Sequence, residues 1–187
     1  MFTVGFDERS LKEVQSRLGS FKSKAPNAIA SALNRGMSNI NTNIKKEVRK
    51  EYHIKAGDID VTLKKNRASK GSLSAEVKSK GGAIPLDKFK VTPKSINPKR
   101  KSTLSVAVKK DGVKKLKGAF MADINGPKLF LRAKKSRLPI GRLFGPSIPQ
   151  MLGNEDIGSP IQEKGQDAFE KRLDHEINRI LTVRRSS

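Results

Sequence analysis

The segment APNAIASALNRGMSNINTNIKKEVRKEYHI, residues 25–54, decides how this chain begins to fold. Apolar side chains recur in it every three or four positions, at Ile29, Leu33, Met37, Ile40, Ile44, Val48 and Tyr52. This spacing predicts one long amphipathic helix over about 26–51. The apolar stripe is narrow and the opposite face is rich in Asn, Ser and Lys. We therefore expect the helix to lie against a sheet or a neighbouring subunit.

A shorter helix is predicted upstream, over about 8–18. Asp7 is a good N-cap for it, and the apolar residues that follow stand at helical spacing. Ahead of this helix, alternating apolar residues predict a short strand, and these are Phe2, Val4 and Phe6.

The apolar period changes to two after the long helix. Residues 58–65, DIDVTLKK, predict a strand with Ile59, Val61 and Leu63 on one face. Residues 72–78, SLSAEVK, predict a second strand. Both segments alternate apolar with polar side chains, which is typical of half-buried strands.

Residues 103–133 predict a meander of three strands, with hairpin turns at Asp111-Gly112 and Asn125-Gly126. Residues 81–102 precede this meander and contain three prolines, two glycines and the basic triplet 99–101. We expect them to form a long mobile loop that projects from the sheet.

Residues 138–152, LPIGRLFGPSIPQML, combine three prolines with two glycines. Proline removes a backbone donor and restricts the residue before it, so this segment cannot continue a helix or sit inside a central strand. We expect either an ordered connection or an exposed docking arm.

A C-terminal helix is predicted over about 160–182, with Ser159 as N-cap and Pro160 at its first position. Gly165 weakens its first turns. The expected buried face consists of Ile161, Ala168, Leu173, Ile177 and either Ile180 or Leu181.

These elements predict an α+β fold, in which the long N-terminal helix and the C-terminal helix pack on an antiparallel meander sheet with extended basic loops. We expect a single domain over residues 1–187. Its parts are a helical N-terminal part (1–52), a basic antiparallel sheet (58–135), a proline-rich arm (136–158) and the C-terminal helix (159–183). Cysteine is absent, which excludes disulfides and thiolate zinc sites. No segment has the apolar length of a membrane span or the pattern of a signal peptide, so we expect no membrane partner.

The net charge of +22 is concentrated in one segment. Residues 61–137 hold 22 of the 40 Lys and Arg residues but only four of the 18 acidic residues, and so carry +18 of the total. Such a concentration favours a polyanion partner, usually nucleic acid, although a solvated lysine-rich face is the alternative. Aromatic residues are few, so we expect sequence-independent contacts with phosphates. The residues predicted to face nucleic acid are Lys99, Arg100, Lys101, Lys109, Lys110, Lys114, Lys115 and Lys117.

Residues that could carry catalysis are sparse. The histidines, His53 and His175, are interpreted as surface residues, and the Asp58/Asp60 pair lacks a third acidic ligand nearby. We therefore predict no catalytic residue, no cofactor and no metal site. The hypotheses kept are a structural assembly protein, a sequence-independent nucleic-acid-binding architectural protein, and an enzyme that acts on a polyanion.

The segment GAFMADINGPKLFLRAKKSRLPIGRLFGPSIPQML, residues 118–152, resembles the hallmark of the prophage minor tail protein Z family, the tail completion proteins of long-tailed bacteriophages. The long Ala- and Asn-rich helix is also similar to one in that family. A departure is NGPKLFLR, where members often carry a Gly-His-Lys-Gly turn, so the hairpin tip is expected to differ. The matching hallmark residues are Gly118, Ala119, Phe120, Phe130, Arg132, Leu138, Pro139, Ile140, Gly145, Pro146, Ser147, Ile148, Pro149, Gln150 and Met151.

The resemblance implies a virion protein of the tail–neck region, assembled in the host cytoplasm as a homo-hexameric ring at the head-proximal end of the tail. Its implied partners are the tail terminator or tail tube, the head–tail connector or neck proteins, and phage DNA passing through the lumen. In this interpretation the proline-rich arm docks on a neighbour; the alternative is that it crosses its own subunit's sheet. The docking residues would be Leu138, Pro139, Ile140, Leu143, Phe144, Pro146, Ile148, Pro149, Met151 and Leu152.

Overall fold

The computed structural model of the protein describes residues 2–5 and 8–182. Within them the α-helices are α1 (Glu8–Leu18), α2 (Ala25–Glu51), α3 (Ala56–Asp60), α4 (Ile148–Leu152) and α5 (Glu155–Thr182). The strands are β1 (Phe2–Gly5), β2 (Leu63–Asn66), β3 (Ser74–Ser79), β4 (Lys90–Thr92), β5 (Leu104–Ala107), β6 (Lys114–Leu116), β7 (Ala119–Asp123), β8 (Pro127–Arg132) and β9 (Ile140–Arg142). The predicted α+β class, with a long N-terminal and a C-terminal helix, is confirmed.

The described residues form two compact units. The first unit takes the described parts of Met1–Ile44, Leu63–Ser79 and Asn154–Ser187, and the second comprises Lys45–Thr62 and Lys80–Gly153. A single tail-completion domain stays a prediction. Most of the basic residues lie in the second unit.

The first unit is built on α1, α2 and α5 together with the antiparallel sheet β1-β3-β2. The predicted bounds of α1 are confirmed, while its predicted N-cap, Asp7, and the predicted strand residue Phe6 lie outside the described residues. In β3, Ala75 and Val77 are buried, as the alternation predicts.

The buried face of α2 is wider than the narrow stripe predicted. A second row of small residues runs beside the large apolar row, so that the helix buries two adjacent rows rather than one. Within the first unit the buried residues of α2 include Ala25, Ala28, Ile29, Ala32, Leu33, Gly36, Met37, Ile40, Asn43 and Ile44. The small residues let a neighbouring helix approach closely.

The helix α5 starts five residues earlier than predicted, so Ser159 is not its N-cap and Pro160 lies inside it. Asn154 begins the helix: its Oδ1 accepts a hydrogen bond from the Asp156 amide at 3.2 Å, and its carbonyl accepts from Gly158 at 2.8 Å. Burial of Ile157 stabilises the added turn. Of the predicted buried face, Ile161, Ile177 and Ile180 are buried, whereas Ala168 and Leu173 are half-buried.

The second unit contains two antiparallel sheets, β4-β5-β6 and β7-β8-β9, instead of one meander. The chain leaves the first sheet at Gly118, whose φ of +75° is a conformation that favours glycine. The predicted turn at Asn125-Gly126 is confirmed, with φ values of +55° and +96°. The Asp123 carboxylate accepts a hydrogen bond from the Gly126 amide at 2.9 Å and holds this turn.

The predicted strand at residues 58–65 is wrong in its first half, because residues 56–60 form α3. Ile59 is buried, but Val61 is 84% exposed, so the two do not share a buried face. The Lys55 carbonyl accepts hydrogen bonds from the amides of Asp58 and Ile59, which turns the chain into a helix before β2.

The prediction of a mobile loop over residues 81–102 is wrong for the first half of this segment. Residues 86–88 form a 3-10 helix and β4 pairs with β5, in register Val91↔Val106. Four apolar side chains anchor this part of the segment in the second unit, and they are Ile84, Leu86, Phe89 and Val91. Residues 94–99 are exposed in the part that follows.

Candidate functional site

The basic triplet 99–101 lies in a loop that is held by its own side chains. Asn97 Oδ1 accepts a hydrogen bond from the Lys99 amide at 2.9 Å. The Arg100 guanidinium donates to the carbonyl of Ser95 and, at 3.0 Å, to its hydroxyl. Arg100 is therefore engaged in loop structure, whereas Lys99 and Lys101 are exposed.

The other predicted nucleic-acid-facing residues, Lys109, Lys110, Lys114, Lys115 and Lys117, are all exposed. In the part of the chain that the structure describes, none of them forms an ion pair. Lys114 and Lys115 are successive residues of β6, so their side chains leave opposite faces of the strand. The predicted set is thus divided over different surfaces.

A basic depression of about 300 Å³ in the second unit was not predicted from the sequence. It is bordered by Tyr52, His53, Ile54 and Phe89 and by six cationic side chains, those of Arg49, Lys55, Lys88, Lys90, Lys94 and Lys110. We call it the His53 depression. Only one of its lysines, Lys110, belongs to the set predicted to face nucleic acid.

The imidazole of His53 is half-buried in the lining of this depression. Burial and then the charges of Lys90 and Lys110 hold the pKa of His53 below its usual value, because all three disfavour the protonated ring. His175, in contrast, is exposed on α5.

The proline-rich segment begins as part of a sheet. In β9, Gly141 pairs with Leu131 of β8, and β9 forms the edge of its sheet. The Arg142 guanidinium makes a two-pronged ion pair with Asp87, with Nη2 3.0 Å from Oδ2 and Nε 3.3 Å from Oδ1. This geometry is the strong form of an Arg–carboxylate contact.

The chain then passes beside the residue 84–89 segment. The Gly145 amide donates to the Ile84 carbonyl at 2.7 Å, and the Leu86 amide donates to the Leu143 carbonyl at 3.0 Å. A Cβ on Gly145 would lie 3.0 Å from atoms of both Leu86 and Phe89. Glycine at this position lets the backbone approach the two side chains.

The end of the segment forms α4, which a capping box begins. The Ser147 hydroxyl accepts from the Gln150 amide, and the Gln150 side chain accepts in return from the Ser147 amide at 2.9 Å. Most of the hallmark residues from 145 to 151 thus have a role in folding the chain.

The predicted docking residues are divided by burial. Ile148, Met151 and Leu152 are buried within the chain itself. Leu138 and Phe144 are 66% and 52% exposed, so they are available to a partner. Pro139 is also exposed, and the remaining residues, Ile140, Leu143, Pro146 and Pro149, are half-buried.

Phe144 lies at an apolar groove of about 530 Å³ in the second unit. The groove is lined by Leu86, Val106, Val113, Leu116 and Leu143 among others, and Lys109 and Lys114 also border it. Val113 is 72% exposed. We call this surface the Phe144 groove.

The hallmark residues of the β7–β8 hairpin contact one another. Phe120 pairs with Phe130 across the two strands, with ring centroids 6.0 Å apart. The Arg132 guanidinium lies over the Phe120 ring at 5.0 Å and donates to the Arg137 carbonyl at 2.6 Å. These side chains stabilise the hairpin and the chain that follows it.

Residues 2–5 and 8–182 contain no group of three or more His, Asp or Glu side chains placed to hold a metal ion. Among the same residues, no helix has both the length and the apolar character needed to cross a lipid bilayer. Asp58 and Asp60 instead pair with lysines, at 3.0 Å from Lys88 and 3.2 Å from Lys45.

Comparisons with known proteins agree with the resemblance drawn from the hallmark residues. A search of curated proteins and a search of solved structures returned no match. A family model, that of prophage minor tail protein Z, matches residues 9–185, which is nearly the whole chain. The chain belongs to the prophage minor tail protein Z family.

Proposed function

We propose that this minor tail protein completes the head-proximal end of a phage tail as a ring of six copies and joins the tail to the head through neck proteins. Membership of a minor tail protein family over residues 9–185 is the observation that carries the proposal, because it makes the protein a structural component of the tail. A structural role needs interaction surfaces rather than a catalytic centre.

The Phe144 groove is the proposed contact with a neighbouring copy. It combines exposed apolar side chains, Phe144 and Val113, with a basic rim formed by Lys109 and Lys114. Exposed apolar residues gathered beside polar ones are typical of protein interfaces.

The first unit offers a surface of complementary charge on α5. Glu163, Asp167 and Glu170 are exposed and stand four and three residues apart, so they lie on one face of the helix. A contact that joins this acidic face of one copy to the basic groove of the next uses two different patches. Such a head-to-tail interface can close into a ring.

We assign the remaining positive charge of the second unit to contact with the DNA that passes through the lumen of the ring. Lysines with no acid partner repel one another, and a polyanion in the lumen of a ring would offset that repulsion. Lys99, Lys101 and Lys115 are exposed and available for this role.

Complementation of defective tails tests the proposal. Tails assembled without the protein are mixed with filled heads and purified protein, and infectious particles are counted. Wild-type protein should restore joining and appear at the head-proximal end of the tail in electron micrographs. Phe144→Asp should stay folded and fail, whereas Val61→Asp, at an exposed apolar residue outside the groove, should succeed. If Phe144→Asp restored joining as well as Val61→Asp does, the Phe144 groove would not be a contact that joining needs.

A charge swap tests the contact between copies. Glu163→Lys with Asp167→Lys should prevent ring formation in electron micrographs, because like charges would face each other across the interface. Adding Lys109→Glu and Lys114→Glu to the same chain should restore rings. Failure of the combined variant to form rings, while each protein remains folded, would contradict the assigned pair of surfaces.

A further inference from the structure

We propose that the His53 depression is the principal phosphate-binding site of this protein and takes the sugar–phosphate backbone of DNA. The inference rests on the proposed function, which brings the basic second unit to the DNA path. It assigns the main contact to this depression and a lesser one to the exposed loop and hairpin lysines that the sequence suggests.

Three segments of the chain supply the depression. Arg49 and Lys55 come from the end of α2 and the residues after it, Lys88, Lys90 and Lys94 from the segment around β4, and Lys110 from the β5–β6 connection. Hydrogen bonds between backbones hold two of these segments together, from the His53 amide to Val108 at 2.9 Å and from the Lys110 amide to Glu51 at 2.8 Å. The cations are therefore held near one another before any ligand binds.

The positive charge of the depression is largely uncompensated. Lys88 pairs with Asp58 at 3.0 Å. Across the described residues, the other five cations form no ion pair, and the lining of the depression includes no carboxylate. A solvated basic face would spread such charges apart, whereas here they border one depression of about 300 Å³. A ligand with several negative charges relieves their mutual repulsion.

The chemistry of the lining favours phosphates without base recognition. Lysines bind phosphate as point charges, and duplex DNA presents one negative charge per roughly 1.7 Å of its axis. The aromatic rings at the site, Tyr52 and Phe89, are buried and so do not offer a face on which a base could stack. Contacts limited to phosphates carry no direct sequence information.

His53 should make DNA binding at this site depend on pH. Lys90 and Lys110 are the charged groups that act on its ring, and Arg49, Lys55, Lys88 and Lys94 border the same depression. A bound phosphate opposes these charges and favours the protonated imidazole, so binding takes up a proton. DNA binding should therefore strengthen as the pH falls from about 8 to about 6.

Two triple variants of the full chain, matched in charge, provide the test. The first is Lys55→Gln, Lys90→Gln and Lys94→Gln in the depression; the control is Lys101→Gln, Lys115→Gln and Lys117→Gln on the exposed loop and hairpin. Binding to a duplex of random sequence is measured by fluorescence anisotropy between about 50 and about 200 mM salt. The depression variant should reduce the slope of log K against log salt by about 3, and the control by less than about 1. His53→Gln should bind DNA with an affinity that no longer rises as the pH falls.

Equal slope changes in the two triple variants would overturn the assignment to the depression and leave the proposed tail function standing. Tighter binding of polyglutamate than of DNA at equal charge would also overturn it, because an acidic protein segment would then be the better ligand. Failure of wild-type protein to complete defective tails would instead reject the proposed function, whatever the DNA measurement shows.

Discussion

Gly165 on α5 faces Ile40 on α2 so closely that a Cβ at position 165 would lie 2.3 Å from Ile40 Cγ1. The approach is reciprocal, since a Cβ on Gly36 of α2 would lie 3.0 Å from the Gly165 carbonyl oxygen. The sequence predicts Gly165 to be a weak point of its helix, yet it is the residue that lets the two long helices of the first unit touch.

Gly165→Ala should lower the free energy of unfolding despite the higher helix propensity of alanine. The higher helix propensity of alanine raises the free energy of unfolding by about 1 kcal/mol. Forcing a buried branched side chain aside lowers it by about 1–3 kcal/mol. Because the closest atom belongs to Ile40 in the core, we expect a net loss of up to about 2 kcal/mol, which is measured by urea unfolding. Gly57→Ala is the control, since a Cβ there meets nothing within 4 Å. A stabilised Gly165→Ala variant would contradict the close packing.

The buried carboxylate of Glu176 should make stability depend on acid pH. Burial disfavours its charge, but hydrogen bonds from Ser31 at 3.0 Å and Arg179 at 2.9 Å, with the charge of Arg172, outweigh burial and hold its pKa below the usual value. A lowered pKa in the folded state gives stability that is present above the unfolded-state pKa and is lost as the pH falls through the folded one.

Glu176→Gln should therefore lower the free energy of unfolding by about 1–3 kcal/mol at pH 7 and by less in acid. Thermal unfolding at a series of pH values measures the difference between variant and wild type. Glu170→Gln, on the exposed side of the same helix, should change stability by no more than about 0.5 kcal/mol. If the difference in the free energy of unfolding between Glu176→Gln and wild type stayed constant down to acid pH, the charge of Glu176 would not be the cause of its stabilising effect.

Phe144 and Met151 should respond in opposite ways to truncation. Met151 is 1% exposed, so Met151→Ala should cost about 2–5 kcal/mol of stability. Phe144→Ala should cost little stability and should weaken tail joining instead. The pair is compared by chemical denaturation and by complementation of defective tails. If Phe144→Ala lost much stability but joined tails normally, Phe144 would serve folding and not docking.

His53 should affect stability at mildly acidic pH. Its pKa is lowered in the folded protein by burial and by Lys90 and Lys110, so the folded state resists protonation more than the unfolded state does. Stability is thus greatest above the usual histidine pKa and decreases as the pH falls through it. His53→Gln should remove this decrease, which thermal unfolding between about pH 8 and about pH 5 can measure. Addition of DNA should reduce the decrease in wild type, because bound phosphate stabilises the protonated ring.

Elements with a strong local signal are the ones that the sequence predicts correctly. The apolar spacing of residues 25–54 is enough to place α2, since a repeat of three and four over many turns suits no other structure. The Asn125-Gly126 turn is likewise set by backbone preference, because both residues adopt positive φ. The hallmark at residues 118–152 identifies the family, and its side chains serve the local folding of β8, β9 and α4.

Only the tertiary structure decides the elements and sites whose signals are short or scattered. Residues 58–60 alternate like a strand, but a single buried residue, Ile59, and the Lys55 carbonyl place them in a helix. Gly165 is explained only by its contact with Ile40, which is distant in the sequence. The His53 depression gathers lysines from three separate segments, so its charge density arises from folding, whereas the sequence by itself determines only the sign and the total of that charge.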